Sequence, residues 1–450
     1  MAVAADTNLT RLGGFSGEDV PLDDLLRACV HCGMCLPSCP TYRITGQEMS
    51  SPRGRLWLMR SVADDRLDLL DPIFDEQMYQ CLNCRACEAV CPSGVHYGSL
   101  VEASRAQLEQ HRPRPFWQRG LRQVALGWLF GDTARLRAAV GSLRLYERSG
   151  LAWLARRSGA LSLMRIEEME ALLPPIARRP LVAGRERWRP AQPTQTADLF
   201  NGCVMGTVFA DTNRAAARVM AHNGVAVEVP AGQQCCGALH VHAGMMGEAR
   251  RLARQNIAAF GDDEAPIVVT AAGCGAALKE YDFLLKDDPA YAGRAERFSR
   301  RVRDVTEFLA TLDVRPPRAI DRTVTYQEPC HLAHAQRITA QPRTLLRAIP
   351  GLRLVEMKES SLCCGSAGIY NIIRPRMADE LGDRKVANAL ATLAQEIVTA
   401  NPGCAMQLRA SLRRAGSDLP VRHIVELLDE AYGGERTERD VRWETNGGGG

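Results

Sequence analysis

The stretch CLNCRACEAVCP, from Cys81 to Pro92, decides the interpretation of this sequence. Its cysteines have the spacing Cys-x2-Cys-x2-Cys-x3-Cys-Pro, which is typical of [4Fe–4S] ferredoxins of the bacterial type. The same spacing occurs earlier, in CVHCGMCLPSCP from Cys29 to Pro40. Two copies in one chain predict a module that holds two [4Fe–4S] clusters.

The composition is that of a globular protein. The 450 residues are 46% hydrophobic and 24% charged, with a formal net charge of +4. This length predicts two or three domains, and so small a charge gives no sign of a nucleic-acid partner. No secretory signal pattern opens the sequence, and no apolar run reaches the roughly 18–20 residues of a membrane-spanning helix. We therefore expect a cytoplasmic chain whose sixteen cysteines are metal ligands rather than disulfides.

Helical patterns surround both cysteine motifs. PLDDLLRAC has its apolar residues on one helix face before Cys29, and SPRGRLWLMRSVADDRLDLL begins with Ser51 and Pro52 at N-cap and N1 positions. DPIFDEQMYQ predicts a further helix before Cys81. We expect an α-helical two-cluster domain over residues 20–105, similar to the α-helical ferredoxin domain of respiratory iron–sulfur subunits.

The two motifs are expected to exchange ligands. In two-cluster ferredoxins the fourth cysteine of each motif binds the cluster of the other motif. That rule predicts one cluster on Cys29, Cys32, Cys35 and Cys91, and a second cluster on Cys81, Cys84, Cys87 and Cys39. A pair of zinc sites is the alternative, but the third Cys-x2-Cys step and the following proline fit zinc ribbons poorly.

Residues 106–195 contain no predicted metal ligand and are expected to form a helical and linker region. Their first half mixes arginines with Trp117, Trp128, Phe130 and Trp153. This composition suits an amphipathic surface that touches a membrane or a partner subunit. Ordinary helices whose arginines cover the ferredoxin domain are the alternative. The stretch LLPPIARRPLVAGRERWRPAQPTQT, rich in Pro and Arg, predicts a linker.

The C-terminal half contains an internal repeat, with one unit at 196–315 and another at 320–432. In each unit three short apolar stretches predict strands, and each ends at one or two cysteines. These cysteines are Cys203, Cys235, Cys236 and Cys274 in the first unit, and Cys330, Cys363, Cys364 and Cys404 in the second. The step from single cysteine to pair is 32 and 33 residues, and from pair to last cysteine 38 and 40.

Alternation of strands and helices predicts two repeated α/β modules with parallel sheets, and hence an α+β multidomain chain that ends in a flexible tail, 433–450. Ligands of such sheets lie beyond the carboxyl ends of the strands, where all eight cysteines of the repeat are expected. A helix N-terminus after a strand favours the thiolate that a metal needs. Gly237 and Gly365 would let the backbone bend tightly after each pair. A strained disulfide between adjacent cysteines is the alternative.

Five histidines lie close to these cysteines in the sequence. A histidine there can bind the metal or carry a proton, or it can simply hydrogen-bond a loop. They are His222, His240, His242, His331 and His334.

Two ferredoxin motifs followed by two Cys-Cys-Gly modules resemble the iron–sulfur subunits of glycolate oxidase, a membrane-associated glycolate dehydrogenase. The resemblance runs from about Asp23 to Tyr432. TAAGCGAALKEY (270–281) and SLCCGSAGIYN (361–371) carry it most clearly. The wider relatives are iron–sulfur subunits of anaerobic glycerol-3-phosphate dehydrogenase, of lactate-utilisation systems and of heterodisulfide reductase.

The resemblance implies an electron-transfer subunit of an oxidoreductase. Flavoprotein partners would carry FAD and oxidise glycolate to glyoxylate, and this chain would pass the electrons towards the membrane quinone pool from the inner face of the cell membrane. No G-x-G-x-x-G follows a predicted strand, which agrees with FAD on another chain. The alternatives are a subunit of a D-lactate or glycerol-3-phosphate dehydrogenase, or a catalytic subunit similar to heterodisulfide reductase.

One departure from the wider family concerns the last cysteine of each module. Many members have Cys-x2-Cys there, whereas Ala271 and Asn401 occupy the earlier position in this chain. Modules with five thiolates hold the noncubane catalytic clusters of heterodisulfide reductase. The missing thiolates argue against that chemistry, although four cysteines suffice for an ordinary cluster.

Overall fold

A computed structural model describes residues 11–158 and 176–434. Its N-terminal part begins with a two-stranded ribbon, which the sequence did not predict, and continues with the short helices that it did predict. The ribbon pairs Arg11–Leu12 with Phe15–Ser16. The helices are Asp23–Arg27, Pro40–Thr45, Pro52–Ala63, Pro72–Gln80, Ala86–Ala89 and Tyr97–His111, with a 3-10 turn at Glu48–Ser50.

Side-chain caps fix where these helices begin. Ser51 Oγ accepts a hydrogen bond from Gly54 N at 2.9 Å, and Pro52 occupies the first turn. Asp71 Oδ1 accepts from Ile73 N at 2.7 Å at the start of the next helix. Both caps satisfy backbone donors that have no partner within the helix.

The linker region is largely helical and packs on the first α/β module. Its segments are Phe116–Arg122, a π-helical turn at Gln123–Leu129, Thr133–Arg148 and Leu151–Arg157. Leu136 and Val140 face the core of that module. Residues 172–175 of the predicted Pro- and Arg-rich linker lie outside the described residues.

The C-terminal half consists of two four-stranded parallel sheets with the same strand order, which confirms the repeat. The first sheet runs Val225–Glu228, Gln195–Phe200, Ile267–Val269, Val302–Asp304, and the second runs Leu352–Val355, Arg322–Tyr326, Glu396–Thr399, Val421–His423. Leu199 pairs with Val268 in the first sheet, and Thr325 pairs with Ile397 at the corresponding place in the second.

The fourth strand of each sheet was not predicted, because it is three residues long and carries charged side chains. The sequence does contain a signal for this strand, because VRDVTEFL (302–309) in the first module is similar to VRHIVELL (421–428) in the second. Asp304 and His423 are the N-caps of the helices that follow. In each case the side chain of a glutamate three residues later accepts a hydrogen bond from the backbone N–H of the cap residue.

Helices surround both sheets, and the two modules share one hydrophobic core. In the first module they are Val204–Thr207, Ala210–His222, Ala238–His242, Met246–Phe260, Ala272–Lys279, Tyr281–Leu284, Ala292–Arg301 and Val305–Leu309. In the second they are a π-helical turn at His331–Ala335, then Ala340–Arg347, Tyr370–Ile373, Pro375–Leu390, Pro402–Arg414 and Ile424–Ala431. Across the module boundary, Arg218 Nε donates to Asp429 Oδ1 at 3.0 Å.

Helix Tyr97–His111 runs across the domain boundary predicted after residue 105. Of the predicted tail, all but residues 433 and 434 lies outside the described part of the chain. None of the helices in 11–158 and 176–434 is both long and apolar enough to span a membrane.

Candidate metal centres

The ferredoxin domain contains two adjacent cavities, each surrounded by cysteines from both motifs. The first is lined by Cys29, Cys32, Cys35 and Cys91, and also by Cys87. The second is lined by Cys39, Cys81, Cys84 and Cys87. Cys91 therefore lines the cavity of the first motif and Cys39 lines that of the second, while Cys87 lines both.

The cysteines of the second cavity are buried, whereas in the first cavity Cys32 is exposed and Cys29, Cys35 and Cys91 are partly exposed. Burial raises the pKa of the Cys35 thiol to about 11, and it raises the pKa values of Cys84 and Cys87 well above the ordinary value. A metal that binds such thiols as thiolates must displace their protons. Soft sulfur donors suit an iron–sulfur cluster or zinc.

The eight ferredoxin cysteines line two cavities and do not converge on one point. Within residues 11–158 and 176–434, no three His, Cys, Asp or Glu side chains form a group that could hold one metal ion. The eight ferredoxin cysteines instead surround open cavities. A cluster whose iron atoms are each held by one thiolate needs that wider spacing.

The sequence analysis did not identify a buried arginine that lies beside the second cavity. Arg55 is 1% exposed, and its guanidinium donates to Gln77 O at 2.7 Å and to Thr41 Oγ1 at 3.1 Å. Burial opposes its charge, but nearby Tyr97 and Cys81 raise the pKa of Arg55 above its ordinary value. The signal was its place on the buried helix face of Met59 and Val62, where a charged residue needs a partner.

The first α/β module brings its four cysteines together in its core. Cys203 Sγ and Cys235 Sγ are 3.5 Å apart, and hydrogen bonding to Cys235 together with burial raises the pKa of Cys203. Asn256 Nδ2 donates to Cys235 O at 3.0 Å. Tyr281 Oη donates to Cys236 O at 2.9 Å. The four cysteines are Cys203, Cys235, Cys236 and Cys274, of which only the last is partly exposed.

The second module forms the corresponding site from four buried cysteines. They are Cys330, Cys363, Cys364 and Cys404. Cys330 Sγ lies 4.0 Å from Cys363 Sγ and 3.5 Å from His331 Nδ1. Hydrogen bonds from Cys363 and Cys404, with a smaller contribution from Lys385, hold the pKa of Cys364 well below its ordinary value.

Lys385 gives the second site a buried cation that the first site lacks at the corresponding place. It is 1% exposed, and its Nζ donates to Ser360 O at 3.0 Å and to Glu359 O. Burial lowers the pKa of Lys385, and the nearby cysteines act in the opposite direction. Because Asn256 on the matching helix of the first module is neutral, the two sites differ in electrostatic environment.

Both glycines of the Cys-Cys-Gly motifs have left-handed backbone conformations. The φ angle is 84° at Gly237 and 92° at Gly365. A Cβ at Gly365 would lie 2.4 Å from Ala378 O, whereas a Cβ at Gly237 would meet its nearest neighbour, Ala249, at 3.5 Å. The second site thus needs glycine for close approach as well as for its backbone angle.

The two residues that replace the fifth cysteine have different environments. Asn401 Nδ2 lies 3.4 Å from Cys404 Sγ and can donate a hydrogen bond to it. Ala271 is buried beside Met205 and Phe209. The second site therefore keeps a polar group next to sulfur where the first has a methyl group.

Among the five histidines, only His331 has a cysteine sulfur as a hydrogen-bond partner. His334 Nε2 lies 3.0 Å from Ser361 O, His240 Nε2 lies 3.0 Å from Leu126 O, and the His222 ring stacks on Tyr432. His242 Nδ1 lies 3.2 Å from Glu102 Oε1 and from Asn83 Nδ2. These four contact loops and neighbouring side chains.

The second ferredoxin cavity adjoins the cysteines of the second module. Leu82, Cys84, Cys330, Cys363 and Tyr370 belong to one apolar core. Tyr370 Oη also donates to Gln80 O at 2.9 Å, which fixes the two domains together beside Cys81. The cysteines of the first module lie in a different core, with Leu136 and Val140 of the linker helices.

Comparison with known families defines the class of protein. Residues 25–95 match the 4Fe-4S dicluster domain, and residues 197–279 and 324–409 match the cysteine-rich domain. Residues 117–173 match the linker region of the glycolate oxidase iron–sulfur subunit. The fold and its cysteine sites are therefore those of an iron–sulfur oxidoreductase subunit with a ferredoxin-like domain and two cysteine-rich domains.

Individual relatives narrow this class. The "Probable glycolate oxidase iron-sulfur subunit" of Bacillus subtilis is 42% identical over 90% of this chain and 94% of its own length. The glycolate oxidase iron–sulfur subunit of Escherichia coli is 35% identical over 94% of this chain and 98% of its own. One component of the dihydromethanophenazine:CoB–CoM heterodisulfide reductase of Methanosarcina barkeri is 27% identical over 91% of this chain and 94% of its own length. The chain belongs to the family of glycolate oxidase iron–sulfur subunits.

Proposed function

We propose that this chain transfers electrons within a glycolate-oxidising complex. A flavoprotein partner oxidises glycolate to glyoxylate, and the chain carries the electrons through its metal centres towards a membrane quinone. The family supports the complex, and the four cysteine sites support the route. The observation that carries the proposal is the shared core of Cys84, Cys330 and Cys363, because it joins the ferredoxin centres to a third cysteine site.

In this proposal two [4Fe–4S] clusters occupy the ferredoxin domain. Cys29, Cys32, Cys35 and Cys91 hold one, and Cys81, Cys84, Cys87 and Cys39 hold the other. Each cluster, when bound, takes up and gives back single electrons. Cys203, Cys235, Cys236 and Cys274 hold a further cluster in the first module, and Cys330, Cys363, Cys364 and Cys404 hold one in the second.

The residues around the thiolates adjust the electrostatic environment of the clusters. Buried Arg55 places a positive charge beside the second cavity, and Lys385 does so at the second module. A nearby cation stabilises the reduced, more negative form of a cluster. Asn401, by donating to Cys404 Sγ, acts in the same direction.

The first cavity is the place where a redox partner can approach. Cys32 is exposed, and neighbouring Val30 and Met34 are 68% and 59% exposed. An apolar rim around a solvent-facing centre suits a flavoprotein that must come close to deliver electrons. Electrons would then pass from this centre to the adjacent second cavity and on to Cys330.

The metal content of the anaerobically purified chain tests the cofactor assignment. About eight irons with equal sulfide would load the ferredoxin domain alone, and about twelve or more would show that the α/β modules also bind clusters. A colourless chain with stoichiometric zinc and no iron would contradict the proposal. The co-purified complex should then be assayed with glycolate, D-lactate and glycerol 3-phosphate, and glycolate is the expected substrate.

A further inference from the structure

The outer face of the first linker helix is unusually apolar. Nine of the 21 exposed large hydrophobic residues among the described residues lie between Phe116 and Leu154. Four of them form what we call the tryptophan stripe, with spacings of four, three and four residues along the helix Phe116–Arg122 and the π-helical turn Gln123–Leu129 that continues it. The stripe consists of Trp117, Leu121, Val124 and Trp128, which are between 53% and 65% exposed. So large an apolar face on a fixed helix marks a contact surface.

The opposite face of the same helix is firmly attached to the protein. Leu126 is 6% exposed and its carbonyl oxygen lies 3.0 Å from His240 Nε2. Leu129 and Phe130 pack against the core of the first module. Arg122 donates to Ala243 O and pairs with Glu109 at 2.8 Å. The segment is therefore held in place by its inner side, and the tryptophan stripe lies on the side that faces away from the first module.

The charge of this region is strongly positive. Residues 116–158 contain eight arginines and two acidic residues, a formal charge of +6, whereas the entire chain carries +4. Residues 116–131 contain no acidic residue. The guanidinium of Arg135 lies 5.0 Å from the ring centroid of Trp128, and that of Arg157 lies 5.4 Å from Trp153. Cations thus sit directly beside exposed aromatic rings.

We propose that the tryptophan stripe docks on a lipid bilayer that contains anionic headgroups. Tryptophan rings suit the boundary between headgroups and acyl chains, and the arginine excess complements acidic lipids. A helix with Trp and Leu on one face and neighbouring arginines has the pattern of a segment that lies in the plane of a membrane.

This docking deepens the proposed function and rests on it, because it names the surface by which the chain meets the membrane. Leu136 and Val140 of the next helix pack in the same core as Cys203, Cys235 and Cys236. The tryptophan stripe therefore lies on a segment that packs against the core containing the cysteines of the first module.

Vesicle flotation of the full-length, iron-loaded chain tests the docking. Wild type should bind vesicles of phosphatidylcholine with phosphatidylglycerol more tightly than vesicles of phosphatidylcholine alone, and added salt should weaken the binding. The triple variant Trp117→Ser/Leu121→Ser/Trp128→Ser should bind the anionic vesicles at least about tenfold more weakly, because it removes three apolar anchors. Trp57→Ser is the matched control, since Trp57 is 52% exposed in the ferredoxin domain and also carries an arginine over its ring.

A charge variant keeps the test valid if the triple variant folds poorly. Arg148→Glu/Arg157→Glu should weaken anionic vesicle binding, and Arg300→Glu/Arg347→Glu, on exposed residues of the α/β modules, should not. Equal binding to neutral and anionic vesicles, or undiminished binding of the folded stripe variant, would overturn the proposal. The proposal would also be overturned if the stripe variant bound vesicles as wild type does but no longer co-purified with the flavoprotein.

The docking can fail separately from electron transfer. The reduction of a soluble dye by glycolate, measured on the co-purified complex, should be the same for wild type and the stripe variant. Normal dye reduction without vesicle binding by wild type would reject the docking alone, whereas vesicle binding without dye reduction would reject the function alone.

Discussion

Lys385 is the clearest single-residue difference between the two α/β modules. It places a buried ammonium group near Cys363 and Cys364, where the first module has Asn256. Because a positive charge favours the reduced state of a nearby cluster, the second site should have the higher reduction potential. Electrons arriving from the ferredoxin domain would then be held at the second site.

Replacing Lys385 with Met should lower the reduction potential of the second-module centre. A loss of about 1.4 kcal/mol of stabilisation corresponds to about 60 mV for a one-electron couple. Redox titration followed by EPR measures it. Lys279→Met is the matched control, because Lys279 is a partly exposed lysine paired with Glu307 at 2.8 Å. Equal shifts in both variants, or no shift in the first, would contradict the role of the buried charge.

The crossed ligand sets make a prediction for Cys91. It lies within the second motif, yet it lines the first cavity with Cys29 and Cys32. Cys91→Ser should therefore remove the same EPR signal as Cys32→Ser, and leave the signal that Cys84→Ser removes. A Cys91→Ser spectrum that matches Cys84→Ser instead would show that each motif holds its own cluster.

At the scale of the element, the two Cys-Cys-Gly turns form a natural comparison. Gly237→Ala should lower stability by about 1–2 kcal/mol through its left-handed backbone angle alone. Gly365→Ala should cost more, because its new methyl group would meet Ala378 O. Thermal unfolding and iron content of the two variants measure the difference. If both variants lose the same stability and retain the same iron, the close approach of Gly365 to Ala378 makes no extra contribution to the free energy of unfolding.

Local signals explain why several elements could be predicted from the sequence. Ser51 and Pro52 mark a helix start through contacts within a few residues, and the cysteine spacing determines which sulfurs are close along the chain. The repeat predicted the paired sheets. The three-residue fourth strands could not be predicted from local propensity, because pairing with a neighbouring strand stabilises them.

Contacts between distant parts of the chain could not be predicted in this way. Arg55 and Lys385 are buried charges whose partners come from other segments. The approach of Cys84 to Cys330 depends on how the ferredoxin domain packs against the second module. The spacing of cysteines along the chain does not depend on that packing. It therefore predicted the four sets of cysteines but not which sets are neighbours in the folded protein.

On the scale of the whole molecule, the ferredoxin domain is joined asymmetrically to the repeat. Cys84 shares a core with the second-module cysteines, whereas the first-module cysteines lie under the linker helices. Cys330→Ser/Cys363→Ser should therefore alter the EPR line shape of the cluster at Cys84, because it removes a neighbouring paramagnet. Cys203→Ser should leave that line shape unchanged. The opposite pattern would place the first module next to the ferredoxin domain in the electron path.

The proposed function requires that glycolate oxidation deliver electrons to the metal centres of this chain. The most direct measurement is EPR of the anaerobic complex with its flavoprotein partner, frozen at intervals after glycolate is added. Signals of reduced [4Fe–4S] clusters should appear after flavin reduction and disappear on addition of a quinone. Flavin that is reduced by glycolate while the iron centres of this chain remain oxidised would contradict it.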